Sequence, residues 1–280
     1  MNRRKFIKKS LLGVFGTGLI KGLYTWQVEP FWAEYVKKKM SISNLPEELV
    51  GKTLMQISDI HIGDHFNYNY IIDSFKKAQK LSPDYVAYTS DYIHYDNDNQ
   101  LNQLEEVLKY AVKGKIASVG ILGNHDYGRN WSDKIIAEKV SMKLSQNGIN
   151  VLNNDQKEIE GLNFIGFDDY LGVNFKPQDV MQNYDKSKAN IVLCHNLDVC
   201  DLDVWNGYQG WILAGHTHGG QCKPPFLNAS VLPTLNKRYT QGEIDLFDGR
   251  TLYINRALGF KWQVRFNVRP EITIFTLEKA

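Results

Sequence analysis

Two imidazoles one residue apart, His216 and His218, sit among glycines directly after the apolar run Gly210-Trp211-Ile212-Leu213-Ala214. In a strand an i, i+2 pair points to one face, and in the turn beyond it both rings can converge on a metal ion. Four further sets of metal-type side chains stand where short apolar runs end. Asp59 and His61 follow Ile57, Asp91 follows Tyr88-Thr89-Ser90, Asn124-His125-Asp126 follows Ile121-Leu122-Gly123, and His195 follows Val192-Leu193-Cys194. Five of the chain's 7 histidines fall in these sets, which scattered core or surface histidines would not do. Oxygen and imidazole donors suit Mn²⁺, Fe²⁺ or Zn²⁺ and argue against a thiolate site. Cys194, Cys200 and Cys222 form neither a CxxC pattern nor an even disulfide framework and read as free or buried thiols.

The elements that must position these residues follow from the hydrophobic pattern. From Thr53 onward apolar runs alternate with helical stretches. Leu54 to Ile57 precedes Tyr70 to Leu81, Tyr85 to Tyr88 precedes Leu101 to Val112, and Ile116 to Val119 precedes Trp131 to Leu144. That alternation predicts βαβ units and an α/β fold. The second half is richer in strands: Ile159-Glu160 and Leu162 to Phe167 flank Gly161, followed by Ile191 to Leu193, Trp211 to Leu213, Glu243 to Phe247, Thr251 to Asn255 and Glu271 to Leu277. Asp248-Gly249 is a hairpin-turn signal. In open α/β sheets, groups at the carboxyl ends of strands gather along one edge, so these distant residues can meet in one cleft.

At 280 residues, with 43% hydrophobic and 23% charged residues, the chain suits one large domain. A net charge of +2, with much of the basic excess at the N-terminus, excludes the broad basic footprint of a nucleic-acid binder. Arg3 and Arg4 are adjacent, an apolar stretch runs from Leu11 to Ile20, and no acidic residue occurs before Glu29. This pattern resembles a twin-arginine export signal, with Asn2 where a serine or threonine usually stands. No A-x-A cleavage site is visible between Gly13 and Ala33, so residues 1–26 are expected to act as an export signal or retained membrane anchor. Residues 27–48 read as a connector with one strand, Tyr35 to Ile42, and residues 49–280 as the catalytic domain. Trp26, Phe31, Trp32 and Tyr35 suit either a membrane interface or packing of the connector.

In order along the chain, the stretches Asp59-Ile60-His61, Ser90-Asp91, Gly123-Asn124-His125-Asp126, Cys194-His195 and Gly215-His216-Thr217-His218 resemble the motifs of the calcineurin-like metallophosphoesterases. Gly219-Gly220-Gln221, Lys237-Arg238-Tyr239 and the ending Arg269-Pro270-Glu271-Ile272 resemble its exported, membrane-associated bacterial branch. The resemblance implies a four-layer αββα sandwich of two mixed sheets flanked by helices. It also implies two divalent ions per chain: Asp59, His61 and His218 for one, Asn124, His195 and His216 for the other, and Asp91 bridging them. His125, its ring oriented by Asp126, would serve transition-state stabilisation or protonation of the leaving oxygen. The implied activity is hydrolysis of a phosphodiester or pyrophosphate, with a lipid-linked substrate such as a UDP-diacylglucosamine lipid A precursor within the branch's range. A phosphomonoesterase of envelope metabolites and a non-catalytic metal-binding protein are the alternatives. Two positions depart from the pattern: Ser90 replaces a glycine, and His94, with Asp96 nearby, stands where an acidic residue is usual. Purple acid phosphatases carry a metal-binding tyrosine at that place, which excludes them. His65, Asp64, Lys223, Arg238, Arg256 and Arg265 are weaker substrate-side candidates.

Overall fold

The strands in the middle of this chain carry apolar side chains on both faces, so each must be covered on both sides. The computed structural model describes residues 13, 15–16, 18–227, 229 and 231–280. Arg3, Arg4 and the start of the apolar stretch lie outside the described residues. In chain order come β1 (Glu34–Ile42), β2 (Thr53–Ile57), α1 (Asn69–Gln79), β3 (Tyr85–Tyr88), α2 (Asn99–Leu108), β4 (Ala117–Gly120), α3 (Lys134–Gln146) and β5 (Asn150–Val151). There follow β6 (Asp155–Ile159), β7 (Leu162–Gly166), α4 (Pro177–Met181), β8 (Ala189–Leu193), β9 (Gly210–Ala214), β10 (Gly242–Asp245), β11 (Arg250–Ile254) and β12 (Glu271–Lys279).

Two six-stranded sheets result, ordered β1-β12-β2-β3-β4-β5 and β10-β11-β9-β8-β7-β6. Both are mixed. In the first, β2 to β5 run parallel while β12 is antiparallel to β2; in the second, β7, β8, β9 and β11 run parallel between antiparallel edges. Strand periodicity assigns the layers: Leu54, Tyr85 and Ala87 face the core between the sheets, whereas Met55 and Val86 face the helices. On β9, Trp211 and Leu213 face inward and Ile212 outward. Fully burying the leucine, isoleucine, valine and methionine side chains among these contributes about 1.5–3 kcal/mol each. Helix α3 starts at Asp133, whose carboxylate accepts the N–H groups of Ile135 and Ile136.

The architecture is the expected α/β sandwich of two mixed sheets with flanking helices, but its layers are unequal. Helices α1, α2 and α3 cover the first sheet, whereas the second is covered by short α4, a 3₁₀ turn at Leu197–Asp201, and buried aromatics such as Trp205 and Tyr208. Residues 27–48, read as a connector, contribute more than a link. Strand β1 pairs in parallel with β12 from Glu34↔Glu271 to Ile42↔Lys279, so the first sheet begins before residue 49. Lys37 and Lys39 on this edge strand face solvent, which protects it against pairing with another chain. Phe31 packs edge-on against Tyr70 and Phe260, and the Tyr35 hydroxyl donates to the Ser74 carbonyl, while Trp26 and Trp32 remain half exposed.

Two of the candidate phosphate-binding arginines are structural. Arg265 is fully buried and donates to the carbonyls of Arg256, Val268 and Gly259, organising the segment after β11. Arg256 is engaged with Glu271 and Glu34. All three cysteines are free, Cys194 and Cys200 buried.

Candidate metal centre

Parallel strands in both sheets end at the same edge of the sandwich, and the turns leaving them carry the metal-type residues. Asp59 and His61 leave β2, Asp91 leaves β3, Asn124 and His125 leave β4, His195 leaves β8, and His216 and His218 leave β9. The turns after β2 and β3 continue the ladder: the N–H groups of Asp59 and His61 donate to the carbonyls of Ser90 and Asp91 at 2.8 and 2.9 Å. From the other side Gly259 N–H donates to the Asp59 carbonyl at 2.8 Å. The backbone is therefore fixed on both flanks.

Six of the seven residues expected to hold metal, Asp59, His61, Asp91, His195, His216 and His218, come together, and the seventh, Asn124, is buried on the turn after β4. His218 Nε2 lies 2.9 Å from His61 Nε2 and 3.3 Å from Asp59 Oδ1. His195 Nε2 lies 3.2 Å from His216 Nδ1. Between these groups stands Asp91, its Oδ2 at 3.7 Å from His61 Nε2 and 3.2 Å from His195 Nε2. The donor atoms of Asp59, His61 and His218 lie within 4.8 Å of one another, as do those of Asp91, His195 and His216.

Outer partners fix the rings. The Thr89 carbonyl lies 3.1 Å from His195 Nδ1, the Pro233 carbonyl 2.9 Å from His216 Nε2, and Gln221 Oε1 3.0 Å from His218 Nδ1. Each acceptor calls for a proton on the nitrogen it faces and leaves the other nitrogen's lone pair for a metal. The Asp59 carboxylate accepts the His216 N–H at 3.1 and 3.2 Å and the Ser58 hydroxyl.

This geometry strains the backbone. Asp59, His61, Ser90, Asp91, His216 and His218 all have φ between 45° and 81°, a region costing L-residues roughly 1–2 kcal/mol each. Ser90, at φ 81°, occupies a conformation in which glycine would be unstrained. Gly215 is required for space: a Cβ there would lie 2.1 Å from Ser58 Oγ and 2.2 Å from Asp59 Oδ2.

The electrostatics fit a cation site. Burial works against a charged Asp91, yet His195 and His125 hold its carboxyl well below the usual range. Burial also opposes a proton on His195, but Asp91, with Asp59 and Asp169, pushes its proton affinity well above the histidine range. In the metal-free protein that proton occupies the place of a cation. Burial lowers His61 and takes His216 down to about 4, leaving neutral imidazoles ready to bind metal. Both amide atoms of Asn124 and the Nδ1 of His61 are buried without hydrogen-bond partners among the described residues. Leaving such a group unpaired costs about 1–3 kcal/mol, and a metal bound through Asn124 Oδ1 would remove part of that cost. The residues thus fit two divalent ions: Asp59, His61 and His218 could hold one, Asn124, His195 and His216 the other, with Asp91 shared.

The sequence profile of the calcineurin-like phosphoesterases matches residues 52–220, more than half of the chain. The chain belongs to this family. It is a metallophosphoesterase, and the family's binuclear divalent centre corresponds to the donor groups above. Relatives include the uncharacterized metallophosphoesterase YkuE of Bacillus subtilis, 28% identical over 100% of this chain and 99% of its own length. Phosphodiesterase YaeI of Escherichia coli is 25% identical over 91% of this chain and 92% of its own. The UDP-2,3-diacylglucosamine pyrophosphatase LpxG of Chlamydia muridarum is 24% identical over 95% of each.

Within this calcineurin-like centre one role differs from expectation. Asp126 does not orient the His125 ring: its carboxylate accepts the N–H groups of Tyr92, Ile93 and Gly123 at 2.8, 3.2 and 2.9 Å, clamping the β3 and β4 turns together. The His125 ring packs instead among His61, His94 and Trp131, with centroids at 5.0, 4.9 and 5.8 Å. Sequence reasoning also missed Asp168-Asp169, which end the run Leu162–Phe167 and carry the same signal as the other sets, polar residues after a strand. Asp168 accepts the Tyr127 hydroxyl at 2.5 Å. Asp169 is buried, with Oδ1 accepting the Leu171 N–H and Oδ2 unpaired.

Replacing His125 by alanine should lower turnover by about 10²–10⁴-fold while bound metal is retained, measured by steady-state kinetics beside elemental analysis. Equal loss of metal and activity would make His125 a ligand. A second expectation concerns Asp169, whose carboxyl is pushed up to about 7 by burial, opposed by His195 and reinforced by Asp91. In metal-free protein the fold keeps this proton to about pH 7, whereas the unfolded chain releases it near about pH 4. The associated stability is full below about pH 4 and lost as pH rises through about 7. Thermal melts of metal-free wild type and Asp169→Asn should diverge in the variant's favour across that window and run parallel above it. Curves that stay parallel throughout would mean that the buried carboxyl is already ionised.

Proposed function

We propose that this metallophosphoesterase is exported to the cell envelope and hydrolyses a phosphodiester or pyrophosphate bond in an amphiphilic, lipid-linked substrate. The observation that carries the substrate reading is an apolar rim on segments joined to the metal centre. Phe226, Leu227, Val231 and Leu235 are exposed on the stretch that supplies Pro233 to His216. Trp262 is 66% exposed, and its carbonyl accepts from Gln221, the residue that holds His218. The carbonyl of half-exposed Trp26 accepts from Gln263, the neighbour of Trp262. Large side chains left in water beside a phosphate-cleaving site favour a substrate or surface that brings hydrocarbon with it.

The chemistry divides between the ions and the chain. When bound, a pair of divalent ions neutralises phosphate charge and acidifies water. His125, lowered by burial and partly exposed beside the centre, is a neutral ring whose N–H can donate to the departing oxygen. Asp91 Oδ1 accepts the His125 N–H at 3.0 Å, and Asp126 Oδ2 accepts the Gly123 N–H at 2.9 Å, fixing the turn that carries His125. The LpxG relatives from Chlamydia, named for pyrophosphatase activity on UDP-2,3-diacylglucosamine, support a pyrophosphate within a diacylated substrate.

The metal-reconstituted protein should hydrolyse bis-p-nitrophenyl phosphate in preference to p-nitrophenyl phosphate, and a diacylated sugar-nucleotide pyrophosphate faster than either. The combined substitution Phe226→Ser, Val231→Ser and Leu235→Ser should depress only the diacylated reaction. A strong preference for the monoester, or equal loss on all three compounds, would overturn this substrate reading.

The export reading rests on Arg3, Arg4 and the apolar stretch from Leu11 to Ile20. No helix among the described residues is long and apolar enough to cross a membrane. Replacing both arginines by lysine should strand the protein in the cytoplasm in cell fractionation; unchanged partitioning would sink the twin-arginine route.

A further inference from the structure

The imidazole cluster continues beyond the binuclear centre. His94 stands with His61 and His125 on one side and with His65 and Asp96 on the other, the donor atoms of each trio lying within 4.8 Å of one another. The rings of His65 and His94 meet edge to face with centroids 4.5 Å apart. His94 Nδ1 is buried and has no hydrogen-bond partner. Among the described residues the Asp96 carboxylate is held by a 3.5 Å contact to the Arg129 guanidinium, an outward-facing pair of the kind that contributes little.

These donors lie on two loops joined by one buried side chain. Gln100, fully buried near the start of α2, donates from Nε2 to Asp64 Oδ2 at 2.9 Å. Its Oε1 accepts the N–H groups of Asp96 and Asn97 at 3.0 and 2.7 Å. Gln103 adds a second bond to Asp64, at 2.7 Å. The residue preceding His65 and the backbone of Asp96 are thus tied to the same amide, which fixes the spacing of the trio without using its donor atoms. Such outer support is what holds metal ligands in register.

We infer that His65, His94 and Asp96 form a third site for a divalent transition ion, at the mouth of the binuclear centre. Two imidazoles and a carboxylate match the donor preference of Zn²⁺ and leave coordination open. His65 and Asp96 face solvent, so this ion exchanges faster than the two buried ones. Arg129 must release Asp96 for the ion to bind, and Lys261 acts on His94 as an opposing charge, so the site is also the weakest.

The test uses the full chain, stripped with a chelator and titrated with Zn²⁺, with bound metal read by elemental analysis and isothermal titration. Wild type should take up a third, weaker equivalent after the tight pair. His65→Ala and Asp96→Asn should lose that equivalent and keep the pair, and Arg129→Gln should tighten it. In Co²⁺-loaded protein the same two substitutions should remove one component of the visible absorption. Saturation of wild type at two equivalents, or retention of the third in both variants, overturns the inference. The tight pair is judged separately by Asp91→Asn, which removes the bridging carboxylate and leaves the outer trio intact.

Discussion

Asp91 is the constraint on which the arrangement depends. Its carboxylate is buried where the two sheets meet, within 3.7 Å of an imidazole from the first sheet and 3.2 Å of one from the second. An isolated carboxylate in that place would be neutralised by desolvation, so the site is stable only when positive charge lies on both sides of it. In the metal-free protein His195 supplies part of that charge, and divalent ions supply it fully. The left-handed backbone at Asp59, His61, Asp91, His216 and His218 turns side chains from separate strands toward this one anion. The strain is tolerated because ladder bonds between turns and the Asp126 clamp fix the backbone around it.

Much of this was legible in the sequence for a simple reason. Strands β2, β3, β4, β8 and β9 are largely buried, so each is a short apolar run, and each is followed by polar residues of the candidate centre. The break from apolar to Asp, Asn or His marks a strand's carboxyl end and a candidate ligand together. The same signal was present at Asp168-Asp169 after β7 and was passed over because no family motif drew attention to it. Asp126 shows the opposite failure: its place beside His125 suggested a contact with that ring, but the turn directs its carboxylate to backbone N–H groups, two of them 34 and 33 residues away in sequence.

What was not legible depended on tertiary burial. Arg256 and Arg265 look alike in sequence to any phosphate-binding arginine, and only the folded chain reveals that both are consumed by internal carbonyls and carboxylates. The two-residue strand β5 carries too few positions for a period to register. The thin cover of the second sheet is equally hidden, because Trp205 and Tyr208 fill space that a longer helix would otherwise occupy, and no helical pattern records their work.

The division of the ligands between the two sheets has a mechanical consequence. Each ion's candidate ligands come from both: Asp59 and His61 with His218, and Asn124 with His195 and His216. His61 and His218 are 157 positions apart, and the atoms that would share an ion are 2.9 Å apart. Ions held by these candidate ligands would be buckles across the sandwich, and neither half of the chain could fasten one by itself. Any motion that parts the sheets at this edge would unfasten both buckles at once, and with them the catalytic centre.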